Sequence, residues 1–218
     1  MMLFKRAPVP RMIALPAQGG FLIDTCTFSS IRKPGPNQSA LRQWYASLDR
    51  GQRILPDCIN GEMLFGVLHA EERKMLKLAR SLRRDLTITQ GEARIVRASL
   101  PVQEEFHRLR AKPALKNFWI TQPNQKLPSS GGDVMLAAFS RVTGFPIASD
   151  NERDFLAIHR VAPLPGLYLP VAGRWAELGR ELPAGYAAAR QVRDRPERFL
   201  IKWVRRLMRR MAWRLRLG

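Results

Sequence analysis

Short apolar runs alternate along this chain with longer stretches of helical periodicity. The runs FLID, RILP and FPIAS, at residues 21–24, 53–56 and 145–149, predict three buried strands, and LYLPV, at residues 167–171, predicts an edge strand. Strands separated by helices are typical of an α/β protein with a central, mostly parallel sheet. We therefore predict a three-layer α/β/α fold with helices on both faces of the sheet.

The helical stretches lie between these runs. The periodicity predicts a helix around residues 41–48, one long helix over 57–78, mostly helical structure over 80–112 with a break near Pro101, and a helix over 133–144 that Gly144 ends. The long helix has an apolar stripe formed by Ile59, Met63, Leu64, Val67 and Leu68. Glu62 lies on or beside this stripe, and a carboxylate in such a position needs a reason.

Acidic side chains recur where the predicted strands end. Asp24 closes the first strand, Glu62 follows the second, and a group from Asp150 to Asp154 follows the third. Asp133 begins a helix, where the helix dipole and free N–H groups favour an ionised carboxylate. Because ligands bind at the carboxyl ends of strands in open α/β sheets, these acids are candidates for one common site. Asp24 has a second interpretation, as the N-cap of the segment that follows it.

The chain carries a large excess of positive charge. Its 37 Lys and Arg residues and 18 Asp and Glu residues give a net charge of +19 over 218 residues. Such a charge favours polyanionic partners, namely nucleic acid, an acidic protein or an anionic membrane surface. Residues 187–218 hold eleven Lys and Arg against two acids, but the remainder of the chain is basic as well.

Other features of the composition limit the class of protein. No apolar run approaches the roughly 20 residues that cross a bilayer, so we expect no spanning helix. Pro8, Pro10 and Pro16 interrupt the start of the chain, and we interpret residues 1–19 as an irregular lead-in and not as an export signal. Two cysteines do not suggest a disulfide framework, which favours a reducing compartment and a cytoplasmic location.

Carboxylates gathered in one site repel one another and are costly to bury without a partner. A divalent cation removes this cost, and carboxylate and water oxygens suit Mg²⁺, with Mn²⁺ as the alternative. The histidines His69, His107 and His159 have no acid or cysteine at ligand spacing, which argues against zinc. A bound magnesium ion could lower the pKa of a water molecule and stabilise charge on a phosphodiester.

Three segments carry these acids in a fixed order. They are DTCTFSSIRKPGPN, which starts at Asp24, INGEMLFGV, which contains Glu62, and GGDVMLAAFSRVTGFPIASDNERDF, which contains Asp133. The segments resemble the three motifs of PIN-domain proteins, particularly the VapC-type toxins. Their spacing also agrees, with 38 residues from Asp24 to Glu62, 71 to Asp133 and 18 more to Asn151. The resemblance covers about residues 20–160.

The resemblance implies a PIN-like fold and a magnesium-dependent ribonuclease. By this resemblance, Asp24, Glu62 and Asp133 would bind one or two cations and orient an attacking water. The fourth family position falls on Asn151, which has no charge, and either Asp154 or Asp150 could supply the missing carboxylate. The implied catalytic residues are Asp24, Glu62, Asp133, Asn151 and Asp154, and the implied metal ligands are Asp24, Glu62, Asp133 and Asp154.

Two positions depart from the family pattern. Cys26 stands where the family usually has Asn, which removes an amide donor and acceptor close to Asp24. Ser149 stands where the family usually has Thr and keeps the hydroxyl. The substitution at Cys26 predicts weaker hydrogen-bond support for Asp24.

The C-terminal stretch RFLIKWVRRLMRRMAWRLRLG has the pattern of an amphipathic helix, with apolar residues on one side and arginines over much of the rest. Its apolar side could pack on the protein or on a partner, its arginines could bind RNA phosphates, or the helix could lie on an anionic membrane. We predict a PIN-like nuclease domain over residues 20–170 and a basic helical extension over residues 171–218.

Two functions are compatible with these observations. The first is a metal-dependent endoribonuclease that hydrolyses RNA, as the toxin of a type II toxin–antitoxin system, and the resemblance implies a small antitoxin partner and a homodimer. The second, which Cys26 and Asn151 motivate, is a PIN-like module with weakened catalysis that binds nucleic acid or protein.

Overall fold

The computed structural model describes residues 19–33, 38–120 and 131–179. The strands within them are β1 (Phe21–Ile23), β2 (Arg53–Pro56), β3 (Arg94–Val96), β4 (Ile147–Ala148), β5 (Leu167–Leu169) and β6 (Arg174–Trp175). They form one sheet in the order β3-β2-β1-β4-β5-β6, in which β6 alone is antiparallel to its neighbour. The predicted strands at residues 21–24, 53–56 and 145–149 are confirmed.

Helices join and cover these strands. They are α1 (Thr25–Ile31), α2 (Gln38–Ala46), α3 (Asp57–Glu72), α4 (Leu76–Glu92), α5 (Leu100–Arg110), α6 (Gly132–Thr143) and α7 (Glu152–Val161), with a 3-10 helix over Pro113–Phe118. The mostly parallel sheet with flanking helices is the predicted α/β/α arrangement, so the fold class is confirmed. In the described part of the chain, no helix is both long enough and apolar enough to span a bilayer.

The core lies at the centre of the sheet. Leu22, Ile54 and Ile147, on three adjacent strands, are completely buried. Strands of a parallel sheet are covered on both faces, which is why their sequences are continuous apolar runs and do not alternate with polar residues. The large side chains that fill the space against the sheet come from three helices and are Phe28, Phe139 and Phe155.

The predicted long helix over residues 57–78 is wrong, because the chain turns inside it. α3 ends at Glu72, Lys74 has a φ of 58°, and α4 begins at Leu76. The two helices then pack on each other as a hairpin, so the apolar stripe is only partly buried. Val67 is buried, whereas Leu64 and Leu68 are exposed.

The segment over residues 80–112 also contains a strand that the periodicity did not predict. Residues Arg94–Val96 pair with β2 in parallel and form one edge of the sheet. The strand is short, and both Arg94 and Ile95 are exposed. An edge strand with exposed side chains lacks the apolar run that identifies a central strand, which explains the omission.

The other edge of the sheet also differs from the prediction. β5 is an interior strand, because Tyr168 and Leu169 pair with Trp175 and Arg174 of β6. The sheet therefore continues past the predicted domain boundary at residue 170. The chain divides into two units, Met1–Ala188 and Ala189–Gly218. The predicted basic C-terminal helix and the lead-in up to residue 18 lie outside the described residues.

A buried carboxylate ties α5 to α6. Glu105, which is 3% exposed, accepts a hydrogen bond from Arg141 Nε at 2.6 Å and another from Arg108. Arg141 also donates to the carbonyl oxygen of Pro163 at 2.6 Å. The two arginines are partly exposed, so water solvates them and limits the cost of burying the charges.

We expect Glu105→Gln to lower the free energy of unfolding by about 1–3 kcal/mol, because the amide cannot accept both charged hydrogen bonds. Urea unfolding monitored by circular dichroism measures this change. Glu104→Gln, on the exposed side of the same helix, is the matched control and should change stability by less than about 0.5 kcal/mol. Equal effects of the two substitutions would contradict the structural role of Glu105.

Candidate active site

The predicted site residues converge at the carboxyl ends of the central strands. Asp24 directly follows β1, and Glu62 lies on α3, which begins as soon as β2 ends. Asn151 follows β4 and precedes α7, which carries Asp154, while Asp133 is the second residue of α6. The parallel sheet brings the carboxyl ends of β1, β2 and β4 to the same edge, because these strands are neighbours.

Asp24 is a buried carboxylate held by three donors. It is 5% exposed, and its Oδ1 accepts a hydrogen bond of 2.6 Å from the backbone N–H of Thr25. Its Oδ2 accepts from Ser149 Oγ at 2.6 Å and from Cys26 Sγ at 2.9 Å. The N-cap interpretation of Asp24 is thus confirmed, and the same carboxylate also belongs to the acidic site.

A chain of hydrogen bonds connects Asp24 to Asp133. Ser149 is completely buried, and its Oγ accepts from the backbone N–H of Asn151 at 3.1 Å. The side-chain amide of Asn151 then donates to Asp133 Oδ2 at 3.3 Å. Asn151 therefore contributes a donor where a fourth carboxylate would contribute another negative charge.

Glu62 is joined to the same site through Thr25. Thr25 Oγ1 donates to Glu62 Oε2 at 2.7 Å, so the first residue of α1 contacts both Asp24 and Glu62. The sequence prediction did not assign a role to Thr25. Its only signal in the sequence is a hydroxyl directly after Asp24, at the position where a strand gives way to a helix.

Three other carboxylates influence the ionisation of Asp133. The pKa of Asp133 is raised to about 7, first by burial and then by the negative charges of Asp24, Asp154 and Glu62. These are the four residues predicted as metal ligands. A site with this much unbalanced negative charge favours either a proton or a cation.

The two candidates for the missing carboxylate differ in their surroundings. Asp154 contributes directly to the raised pKa of Asp133. Asp150 instead accepts a hydrogen bond from the backbone N–H of Val171 at 3.0 Å, which joins it to the turn after β5. Burial and the negative charge of Asp24 raise the pKa of Asp150, so this acid also interacts with the carboxylates of the site.

Cys26 replaces the expected amide donor with a thiol. Although much of the residue is exposed, its sulfur lies 2.9 Å from Asp24 Oδ2 and 3.4 Å from Ser149 Oγ. The pKa of the thiol is raised to about 12, first by burial and then by the charge of Asp24, so the sulfur keeps its proton and can donate it. The donor that the sequence predicted to be lost is thus partly restored, although a thiol is the weaker donor.

The side chains are linked mainly by hydrogen bonds within the site. Among the residues that the structure describes, no set of three Asp, Glu, His or Cys side chains is arranged to hold a metal ion. The nearby donor atoms that carry charge are carboxylate oxygens, which suit hard cations such as Mg²⁺ or Mn²⁺. Magnesium typically takes only one or two protein carboxylates directly and completes its coordination with water.

Comparison with known proteins gives similarities at the level of structure. No protein-family model and no curated protein sequence matches this chain. A chain of VapBC2 from Rickettsia felis, bound to a promoter DNA fragment, is similar over 66% of this chain and 94% of its own, with 13% identity and a TM-score of 0.46. A chain of FitAB bound to IR36 DNA is similar over 63% of this chain and 90% of its own, with 20% identity and a TM-score of 0.44.

A chain of DNA-bound VapBC from Salmonella typhimurium is similar over 63% of this chain and 91% of its own, with 20% identity and a TM-score of 0.43. The sequence motifs of this chain are more specific than these structural similarities. They lie on neighbouring strands and on the helices that follow them, and their acidic residues meet at one edge of the sheet. In motifs and in fold class, the chain resembles PIN-domain proteins of the VapC type.

Proposed function

We propose that this protein is a divalent-metal-dependent endoribonuclease that hydrolyses RNA phosphodiester bonds. One observation carries the proposal: hydrogen bonds through Thr25, Ser149 and Asn151 connect the carboxylates of Asp24, Glu62 and Asp133, which are far apart in sequence. Structural carboxylates are usually paired with basic side chains, as Glu105 is with Arg141. Carboxylates that instead face one another are a recognised property of functional sites.

The residues of the site fit a hard cation. Asp24 and Asp133 would hold it, and Glu62 and Asp154 would interact with it through bound water. When bound, Mg²⁺ or Mn²⁺ supplies an acidified water and stabilises charge on the phosphate. Ser149, Thr25 and Cys26 hold carboxylates in place through the hydrogen bonds of the site. Asn151 positions Asp133 without adding charge.

RNA is the proposed substrate because of both the charge of the protein and the resemblance of its motifs. A net charge of +19 favours binding of a polyanionic backbone, while the acidic cluster limits cleavage to one place. The resemblance to VapC-type toxins supports a role as the toxin of a toxin–antitoxin pair in the cytoplasm. A small acidic antitoxin and a homodimer are the partners that this role implies.

We expect the purified protein to cleave total RNA in the presence of Mn²⁺ or Mg²⁺ and to stop when EDTA is added, because the carboxylates need a cation to act. Gel electrophoresis of RNA incubated with and without each cation measures this. Ca²⁺, which binds carboxylates with a different coordination geometry, is the control cation. Equal cleavage in EDTA would contradict the proposal.

A catalytically weakened binding module is the alternative function. Asn151 lacks the charge of the family position, and Cys26 is a weaker donor than the usual amide. This alternative predicts salt-sensitive RNA binding without turnover at any concentration of Mg²⁺ or Mn²⁺. The RNA incubation described above therefore distinguishes the two functions.

A further inference from the structure

Glu62 occupies space that a glycine leaves open. A Cβ atom added at Gly132 would lie 1.9 Å from Glu62 Oε1, 2.7 Å from Cδ and 3.2 Å from Oε2. Real Cβ atoms essentially never lie closer than 3.0 Å to such a neighbour. Any side chain at this position would therefore displace the carboxylate by about 1 Å or more.

The backbone gives no other reason for a glycine at this position. Gly131, the N-cap of α6, has a φ of 71° and so favours glycine, but Gly132 is not among the residues with a positive φ. The three atoms nearest to the added Cβ all belong to Glu62. The nearest group to the open space beside Gly132 is thus the carboxylate of Glu62.

Two helix N-termini confine this carboxylate. Thr25, the first residue of α1, donates to Glu62 Oε2, and Gly132, the first residue of α6, lies against Oε1. Asp133 is the next residue along α6. The position of the Glu62 carboxylate relative to Asp133 is therefore set by how closely it can approach the start of α6.

We propose that Gly132 is a positioning residue, whose missing side chain determines where the Glu62 carboxylate lies in the acidic site. The inference rests on the proposed function, because it assigns Gly132 a role in cation binding and cleavage. Gly132 acts only through Glu62 and does not itself bind the cation or the RNA. An alanine in its place would leave the backbone unstrained and would move the carboxylate out of register with Asp133.

The test is Gly132→Ala, measured by Mn²⁺-dependent cleavage and by the Mn²⁺-induced rise in Tm. A displacement of about 1 Å at a reacting group, or loss of a supporting contact to a metal ligand, costs about 10- to 100-fold in activity or metal affinity. We expect losses of this size in both measurements. Gly61→Ala is the matched control, because it lies next to Glu62 in α3 and its added Cβ would meet nothing within 4 Å. Gly61→Ala should leave both measurements unchanged.

A second substitution tests whether the effect passes through Glu62. Asp is one methylene shorter than Glu, so Glu62→Asp should make room for the methyl group of Gly132→Ala. If the two residues acted independently, the loss of activity in the double variant would equal the product of the two single losses. Because the two residues are in contact, we expect the loss in the double variant to be at least about tenfold smaller than this product. In a Glu62→Ala background, Gly132→Ala should not lower the metal-free Tm, because the clash has been removed and alanine favours a helix more than glycine does.

Two results would overturn the role of Gly132. One is an unchanged Mn²⁺ titration in Gly132→Ala, and the other is a double variant whose losses simply multiply. A wild-type protein that binds Mn²⁺ but does not cleave RNA would contradict the proposed function alone, because the Mn²⁺-dependent shift in Tm would still report on Gly132.

Discussion

Asp24→Asn is expected to lower Mn²⁺-dependent RNA cleavage by more than about 100-fold. Loss of a residue that only supports a metal ligand costs up to about 100-fold, and Asp24 is proposed to bind the cation itself. Asp24 is firmly held, with three donors on its two oxygens. Asparagine keeps the size of the side chain but removes its charge. The amide nitrogen of asparagine is itself a donor and cannot accept a hydrogen bond. It would therefore face a donor, because Thr25, Ser149 and Cys26 all donate to this side chain.

The loss should affect chemistry and cation binding more than folding. Circular dichroism and thermal unfolding of the metal-free variant measure the fold, and a cleavage time course measures the activity. Asp49→Asn is the matched control, since Asp49 is exposed and lies in the loop before β2. Cleavage by Asp24→Asn at the rate of Asp49→Asn would contradict the assignment of the active site.

Asp133→Asn is expected to make the metal-free protein more stable at pH 8 while it abolishes stabilisation by Mn²⁺. The pKa of Asp133 is about 7 in the folded protein and 3.8 in its ordinary state. At a pH between these two pKa values, Asp133 keeps its proton in the folded state and releases it in the unfolded state. The free energy of unfolding therefore falls as the pH rises from about 4 to 7, and it stays low above pH 7.

Asparagine resembles the protonated acid at every pH, so the variant should avoid this loss. Above pH 7 the metal-free variant should be more stable than the wild type by on the order of 1–3 kcal/mol, and near pH 4 the two should be similar. Urea unfolding at pH 4.5 and pH 8, with and without Mn²⁺, measures both effects. A variant that is less stable than the wild type at pH 8, or that Mn²⁺ still stabilises, would contradict the charge repulsion and the role of Asp133.

The sequence predicted the centre of the sheet because burial on both faces requires continuous apolar runs. β1, β2 and β4 were recognised in this way, and the helix at α6 was recognised from its periodicity and from Gly144, which has a φ of 76°. The edges were harder to predict. β3 exposes Arg94 and Ile95, and β6 has only two residues, so neither has a pattern that differs from that of a loop.

The break between α3 and α4 could not be predicted from residue types. Lys74 has a φ of 58°, a conformation that glycine or asparagine would have suggested but lysine does not. Tertiary packing of the two helices stabilises this turn. The apolar residues Leu64 and Leu68 instead favoured one uninterrupted helix. Their side chains are exposed, but in the sequence they extend the helical pattern just as buried side chains would.

The acids of the candidate site were predicted from their positions relative to the strands and from the motifs. Their supporting residues were not, because hydroxyl groups and glycines are common and have no distinctive spacing. Thr25 and Gly132 both act on Glu62, yet they come from segments more than 100 residues apart. Such a contact becomes visible only when the fold brings the starts of α1 and α6 together.

The hydrogen bonds of the sheet divide the candidate site into two parts that are held by different elements. The backbone N–H of Asp24 donates to the carbonyl oxygen of Ala148 at 3.1 Å, and that of Ser149 donates to the carbonyl oxygen of Tyr168 at 3.0 Å, so both residues are fixed to neighbouring strands. Glu62 and Asp133 are carried by the helices α3 and α6. A cation at the proposed site would thus join a carboxylate that the sheet holds to carboxylates that the helices hold.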